Sequence, residues 1–130
     1  MKRFIFSILL LVVVLGCKDP GNKNITVVTA EEMQAILDLD EVQLVDVRTP
    51  EEYSAGFIKS AQNIDFLSDT FEEDILKLDK SKPVILYCQS GGRSAKCSKK
   101  LVEAGFIKVY DLQGGITQWK HKGLKIEGLQ

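Results

Sequence analysis

The sequence is short of the residues from which metal centres, disulfide frameworks and nucleic-acid surfaces are made. Its 130 residues hold one histidine, His121, one tryptophan, three prolines and three cysteines. One imidazole with Cys17, Cys88 and Cys97 makes no metal-ligand spacing, so no metal and no other cofactor is expected. An odd number of thiols, one of them close to the N-terminus, leaves no paired framework to read. Lys and Arg form no stripe interleaved with aromatics, which argues against a nucleic-acid partner. Internal repeats and low-complexity segments are missing from the domain, and no apolar run comfortably spans a bilayer. With 45% hydrophobic and 27% charged residues, the chain fits one globular domain plus a short addition.

The addition is N-terminal. Lys2 and Arg3 precede an apolar run from Phe4 to Leu15, followed by Gly16 and Cys17, the basic and apolar regions of an export signal. Val14-Leu15-Gly16-Cys17 resembles a bacterial lipobox, in which the cysteine is lipidated and becomes the first mature residue. An uncleaved anchor and a plain secretory peptide are the alternatives. On the lipobox reading, residues 1–16 are a lipoprotein signal peptide, 17–24 a lipidated tether and 25–130 the globular domain. Two or three acyl chains hold a protein firmly to a membrane. Lys18, rather than Asp, follows the cysteine, which by analogy with enteric bacteria points to the outer membrane facing the periplasm. Without residues 1–16 the chain has 15 basic and 18 acidic side chains, a net charge of −3.

From residue 25 the pattern alternates strand and helix. Ile25 to Val28 reads as a strand, and Thr29-Ala30-Glu31-Glu32 as a capping box opening a helix through Leu37, with Asp38 to Glu41 turning back. Gln43 to Val47 is the second strand, and Thr49-Pro50-Glu51-Glu52 a second capping box whose helix ends near Gly56. Asn63 and Ile64 make a brief strand. Ser68 or Asp69 then caps a helix carrying Phe71, Ile75, Leu76 and Leu78. Ile107 to Leu112 is the last strand, and Gly114-Gly115 turns into a helix with Ile116 and Trp119 that Gly123 ends. Five strands separated by helices predict an α/β fold with a parallel sheet covered on both faces and a site at the carboxyl ends of the strands.

Between these lies the stretch with chemical potential. Val84 to Tyr87, opened by Pro83, reads as a strand buried on both faces, and it delivers Cys88 to its carboxyl end. Ser90, Gly91 and Gly92 let the backbone curl with its N–H groups inward, and Arg93 to Ala104 continue as a helix up to Gly105. The loop is a backbone nest at a helix N-terminus, where oriented N–H dipoles favour thiolate over thiol. Cys88 is therefore the candidate nucleophile. A small core residue at a strand end is the plainer alternative, but such a residue requires neither the Gly-Gly turn nor the arginine after it.

Asp46-Val47-Arg48, Glu51-Glu52-Tyr53, Gly56-Phe57-Ile58, Ala61-Gln62-Asn63-Ile64, Tyr87-Cys88-Gln89-Ser90-Gly91-Gly92-Arg93-Ser94, Gly105-Phe106 and Leu112-Gln113-Gly114-Gly115-Ile116 with Trp119 together resemble a single-domain rhodanese, from about Thr29 to Gly123. The resemblance implies a rhodanese-like fold, with a parallel sheet of about five strands and helices on both faces. It implies a sulfurtransferase in which Cys88 takes a sulfane sulfur from a donor such as thiosulfate, holds it as a persulfide and passes it to a thiol or cyanide. Gln89, Ser90, Gly91, Gly92 and Arg93 would cradle that sulfur. The implied partners are a small sulfur donor and a thiol acceptor, or a sulfur-relay protein feeding a module with little turnover of its own. Phosphatases of the same fold use Cys-x5-Arg, whereas Cys88 to Arg93 is Cys-x4-Arg, too short a ring for a tetrahedral phosphate and suited to one compact sulfur anion. Phe57 stands where the family commonly has His, and Lys59-Ser60 where Pro-Gly is common.

Other residues carry two readings each. Asp46 and Arg48 either support the site, accepting hydrogen bonds from the loop and attracting an anionic donor, or form a structural pair fixing the strand end to the Glu51-Glu52 helix. Arg93 either meets an anion at the mouth or points to solvent while its N–H serves the nest. Cys97 is read as buried filler on the loop helix, with a Cys88–Cys97 disulfide as the alternative. His121, between Lys120 and Lys122 at a helix end, reads as solvated rather than as an activating base, and Trp119 as core packing.

Overall fold

The computed structural model describes residues 22–39 and 41–128. The expected signal peptide, the expected lipidation site Cys17, the first part of the expected tether, Asp40 and residues 129–130 lie outside the described residues. The elements run β1 (Ile25–Val28), α1 (Ala30–Leu39), β2 (Gln43–Asp46), α2 (Pro50–Ala55), β3 (Gln62–Asn63), α3 (Phe71–Ile75), β4 (Val84–Tyr87), α4 (Gly92–Glu103), β5 (Val109–Leu112) and α5 (Gly115–His121). The five strands form one sheet in the order β1-β5-β4-β2-β3, and every pairing is parallel. Among the described residues no helix is long and apolar enough to cross a membrane.

In β2, β4 and β5 the apolar residues are divided between two layers by the period-two alternation of side chains. All four residues of β4 are buried because helices cover both faces of the central strand. Val84 and Leu86 join Phe71, Ile75, Leu101 and Phe106 in the layer under α3 and α4. Ile85 and Tyr87 join Met33, Ile116 and Trp119 under α1 and α5. The Tyr87 hydroxyl accepts the Ile58 N–H at 3.0 Å, so the one polar atom of that buried ring is satisfied.

Both predicted capping boxes form. Thr29 Oγ1 accepts the Glu32 N–H at 3.2 Å while Glu32 Oε1 accepts the Thr29 N–H at 3.4 Å. Thr49 and Glu52 repeat the arrangement at α2, with Pro50 in the first turn.

α1 runs on to Leu39 instead of ending at Leu37, β2 stops at Asp46 instead of Val47, α4 runs from Gly92 to Glu103 instead of Arg93 to Ala104, and three further differences from the sequence pattern have a local reason. β3 lies one residue earlier than expected, because Asn63 ends the pairing with its side-chain amide, which donates to the carbonyls of Asp46 and Arg48 at 3.0 and 2.8 Å. β5 begins at Val109 instead of Ile107, whose N–H is drawn to the Lys80 carbonyl and whose side chain is exposed. The helix expected from Ser68 or Asp69 through Leu78 shrinks to α3, since Ser68 and Asp65 side chains take the N–H groups of Thr70 and Leu67 in short turns. After Ile75 the chain tightens into i→i+3 hydrogen bonds, Leu76 to Glu73, Lys77 to Asp74 and Leu78 to Ile75, each 3.2 Å. That spacing keeps Leu78 on the side of Ile75 and turns Leu76 outward, leaving Leu78 6% and Leu76 57% exposed. Leu78→Ala is therefore expected to cost about 2–4 kcal/mol in urea unfolding, while Leu76→Gln changes stability by less than about 0.5 kcal/mol.

Candidate active site

Cys88 follows β4 directly, at the carboxyl end of the central strand, with its side chain 1% exposed. The Gly91 N–H donates to its Sγ at 3.0 Å. Gly91 caps α4 with φ +110°, a left-handed conformation that glycine adopts at little cost and that brings its N–H round to the sulfur. Ser94, in the first turn of α4, places its Oγ 3.5 Å from Sγ and donates its hydroxyl to the Gly91 carbonyl at 3.2 Å. Burial pushes the thiol up, but the Ser94 hydroxyl and the N–H groups of Ser94, Gly91 and Ser90 outweigh it, holding Cys88 below the ordinary value of 9.0.

The nest is aimed from behind by α5. The Ile116 N–H donates to the Cys88 carbonyl at 2.9 Å and the Thr117 N–H to the Gln89 carbonyl at 3.1 Å. In a planar trans peptide the C=O and the following N–H point in opposite directions. Drawing the Gln89 carbonyl toward α5 therefore turns the Ser90 N–H back toward the sulfur. This contact requires glycine at 115: with φ +59°, a Cβ there would lie 2.4 Å from the Cys88 carbonyl oxygen and 2.6 Å from that of Gln89. The Gln89 side chain adds a second tie, its Nε2 donating to Thr117 Oγ1 at 3.1 Å. The Gly114-Gly115 pair reads from sequence only as a turn, and Ser94 only as the first turn of a helix; their roles depend on what the fold sets beside them.

Asp46 and Arg48 are both buried. Arg48 Nε donates to Asp46 Oδ1 and Oδ2 at 3.0 and 3.1 Å, and Nη2 to Oδ2 at 2.6 Å. The remaining donors go to the Gly56 carbonyl at 2.6 Å and to Gln89 Oε1 at 3.1 Å. The pair thus joins the end of β2 to the end of α2 and to the cysteine loop. With its guanidinium buried, Arg48 presents no face to an anion in solvent.

Arg93 lies neither over the mouth nor free in solvent. Its Nη1 and Nη2 donate to Glu52 Oε1 and Oε2 at 2.7 and 2.8 Å, a two-pronged pair with the capping-box glutamate of α2. Arg93 holds the Glu52 carboxyl down at about 2, helped by Thr49 and against a smaller opposing effect of burial. Gln89 is half-buried and Ser90 exposed, and these two side chains are uncharged.

Cys97 is buried in the same apolar layer as Cys88, and both thiols are free. Burial pushes the Cys97 thiol up to about 12. His121 is exposed at the end of α5, in a different place from the loop. Trp119 is buried and its Nε1 donates to the Lys125 carbonyl at 3.0 Å. Phe57 stacks on Tyr53 with ring centroids 4.5 Å apart, an apolar lining where a histidine would bring a polar ring. Among the described residues no group of His, Cys, Asp and Glu could hold a metal ion. What the arrangement can do chemically is hold one anionic sulfur among converging N–H groups.

Two substitutions probe this architecture. Gly115→Ala puts a methyl group into the Cys88 peptide at a positive φ, and is expected to destabilise the fold by more than about 2 kcal/mol in urea unfolding and to slow alkylation of Cys88. Glu52→Gln keeps the cap but removes the charge. Because the folded Glu52 carboxyl sits near 2, below its ordinary 4.5, its contribution is complete above 4.5 and is lost as pH falls toward 2. The variant should be about 0.5–1 kcal/mol less stable than the parent at pH 7, with the two converging over that acid range in pH-dependent unfolding.

Comparison with known proteins accords with this geometry. The rhodanese-like domain family matches residues 29–122. A sulfurtransferase of Allochromatium vinosum is 34% identical over 93 residues, covering 72% of this chain and 85% of that protein. A tRNA uridine(34) hydroxylase of Yersinia pestis is 34% identical over 117 residues, covering 85% of this chain; the chain spans only 32% of the hydroxylase's length. The crystal structure of a rhodanese-related protein from Thermoplasma volcanium superposes with a TM-score of 0.70 at 26% identity, covering 79% of this chain and 97% of the other. A five-stranded parallel sheet with a cysteine nest at its carboxyl edge, matched over most of its length, makes this chain a member of the rhodanese-like domain family.

Proposed function

We propose that the protein is a sulfurtransferase that carries a sulfane sulfur on Cys88, with Gln89 to Arg93 as the backbone cradle. The observation that supports this most directly is the set of groups converging on one sulfur atom, the Gly91 N–H donating at 3.0 Å and the Ser94 Oγ lying 3.5 Å away, with the thiol held below its ordinary range. The Cys88 thiolate attacks the outer sulfur of a donor such as thiosulfate, the S–S bond of the donor breaks, and sulfite leaves with the bonding pair. The Cys88 persulfide that remains is an anion, and the nest N–H groups stabilise it. A thiolate or cyanide then attacks the terminal sulfur, and Cys88 leaves as thiolate. No net oxidant or reductant is consumed.

Arg93 has both terminal nitrogens paired with Glu52, which adds to the short Cys-x4-Arg ring in opposing phosphate chemistry. The pairing of both Arg48 and Arg93 also favours a second reading, in which a partner protein's persulfide supplies the sulfur in place of the thiosulfate dianion. For location, the basic and apolar leader with Val14-Leu15-Gly16-Cys17 supports a lipid anchor at Cys17 in a bacterial envelope, on the periplasmic side of the outer membrane.

Intact mass spectrometry of the reduced full chain before and after thiosulfate tests the activity. Wild type and Cys97→Ser are expected to gain the mass of one sulfur atom, which a thiol or cyanide then removes, while Cys88→Ser gains nothing. Loading by a protein or small-molecule persulfide but not by thiosulfate would select the relay, and no loading from any donor would defeat sulfur transfer altogether.

A further inference from the structure

Beside the cysteine loop, between the start of α1 and α5, lies a cleft of about 290 Å³. It opens at the carboxyl edge of the sheet, where β1 and β5 pair through Val28 and Leu112 and end in the turns at Thr29 and Gln113. Gly114 is its wall toward the loop. A Cβ on Gly91 would lie 3.8 Å from the Gly114 nitrogen, and the Gly91 N–H meets the Cys88 sulfur at 3.0 Å. Gly91 thus touches both the wall of the cleft and the reactive atom. At φ +73° and without a side chain, Gly114 also lets Gln118 fold against the turn, where a Cβ would come within 2.7 Å of the Gln118 Cβ.

Charges of both signs meet in this cleft. Lys122, at the end of α5, reaches Glu31 in the first turn of α1, with Nζ 3.4 Å from Oε1 and the side chains 45% and 61% exposed. A pair so open to water is weak, and a ligand that brings a carboxylate to the lysine and an ammonium to the glutamate replaces it at little cost. A simple anion is opposed by Glu31 and a simple cation by Lys122. An α-amino acid group carries both charges one carbon apart and satisfies both. Gln113 and Gln118 add amide donors and acceptors to the lining. The two arginines nearer the loop are held by Asp46 and Glu52 through several close hydrogen bonds, so Lys122, in one longer contact, is the more readily recruited cation.

We propose that this cleft is the acceptor subsite, holding the zwitterionic amino-acid end of a peptide thiol with its carboxylate on Lys122 and its ammonium on Glu31. Because Gly91 stands between the cleft and the sulfur, the acceptor's thiol lies several bonds from its amino-acid group. The γ-glutamyl end of glutathione has that separation, and free cysteine does not. In the transfer step the acceptor thiolate attacks the outer sulfur of the Cys88 persulfide. The persulfide S–S bond breaks with its electron pair going to Cys88, and the acceptor departs as the new persulfide. This assignment rests on Cys88 carrying sulfur, and it names the class of thiol that removes it.

Titration of the full chain with S-methylglutathione, read by backbone amide NMR shifts, tests this. The capped sulfur cannot accept, so binding reports the cleft whether or not Cys88 is loaded, and the two readings fail separately. Saturable shifts are expected at Gln113, Gly114, Gln118 and Lys122. Glu31→Ala, Lys122→Ala and acetylation of the ligand's amino group should each raise the dissociation constant about fivefold, the loss of one charge-assisted contact. With persulfide-loaded protein, both variants should raise KM for glutathione relative to that for cyanide by about the same factor. The proposal is overturned by the absence of saturable binding, by shifts that fall elsewhere, by variants that bind as tightly as the parent, or by a KM ratio that stays in place while sulfur is transferred. Binding that persists without any loading of Cys88 would defeat the sulfurtransferase reading and the acceptor role with it.

Discussion

The contact on which the site depends is the pair of hydrogen bonds from the start of α5 to the carbonyls of Cys88 and Gln89. A nest works only if its peptide planes are held in one orientation, since each plane can otherwise rotate to present oxygen in place of N–H to the sulfur. Here the planes are held by a different helix, one that enters after the last strand. The glycine at 115 is the geometric condition for that approach. Everything nearer the sulfur, from Gly91 to Ser94, operates inside a frame set by this distant segment.

The same economy governs the charges. Two arginines stand near the loop, and each is bound to a carboxylate on a neighbouring element, Asp46 on β2 and Glu52 on α2. They brace the rim, and the attraction for an anion is left to uncharged backbone dipoles and one serine. Such a site discriminates by size and shape more than by long-range field, because dipoles act over the first contact shell while a guanidinium would act at several ångströms.

The cysteine loop is legible in the sequence because its signals are local: an apolar strand, a cysteine at its end, two glycines and a helix start lie within eleven residues. The parallel sheet is legible for a related reason, since strands alternating with capped helices admit few other arrangements. Family resemblance supplied the chemistry that the pattern alone leaves open. Glu52 and Gly115 escape such reading as site residues, because each is ordinary in its own segment and gains its role from a neighbour tens of residues away, and Ser94 gains its role from the turn that brings it back to the Cys88 sulfur. In sequence Asp111 is one acidic residue in a strand, and only the fold shows that its Oδ1 has no partner among the described residues. The segment after Ile75 is misjudged for the opposite reason: helical spacing of Phe71, Ile75 and Leu78 is also satisfied by a single turn followed by tighter i→i+3 bonds.

The position of β1 has a kinetic meaning. It lies at an edge of the sheet and pairs with β5 alone, Ile25 beside Val109, so the first strand made has no partner until the last one appears. A chain emerging from its N-terminus therefore cannot close this sheet progressively. The middle strands can associate early, but completion waits on a long-range pairing of the kind that slows folding. The α5 contact that orients the cysteine loop comes later still in the chain, so reactivity at Cys88 is acquired only when nearly the whole domain has been delivered.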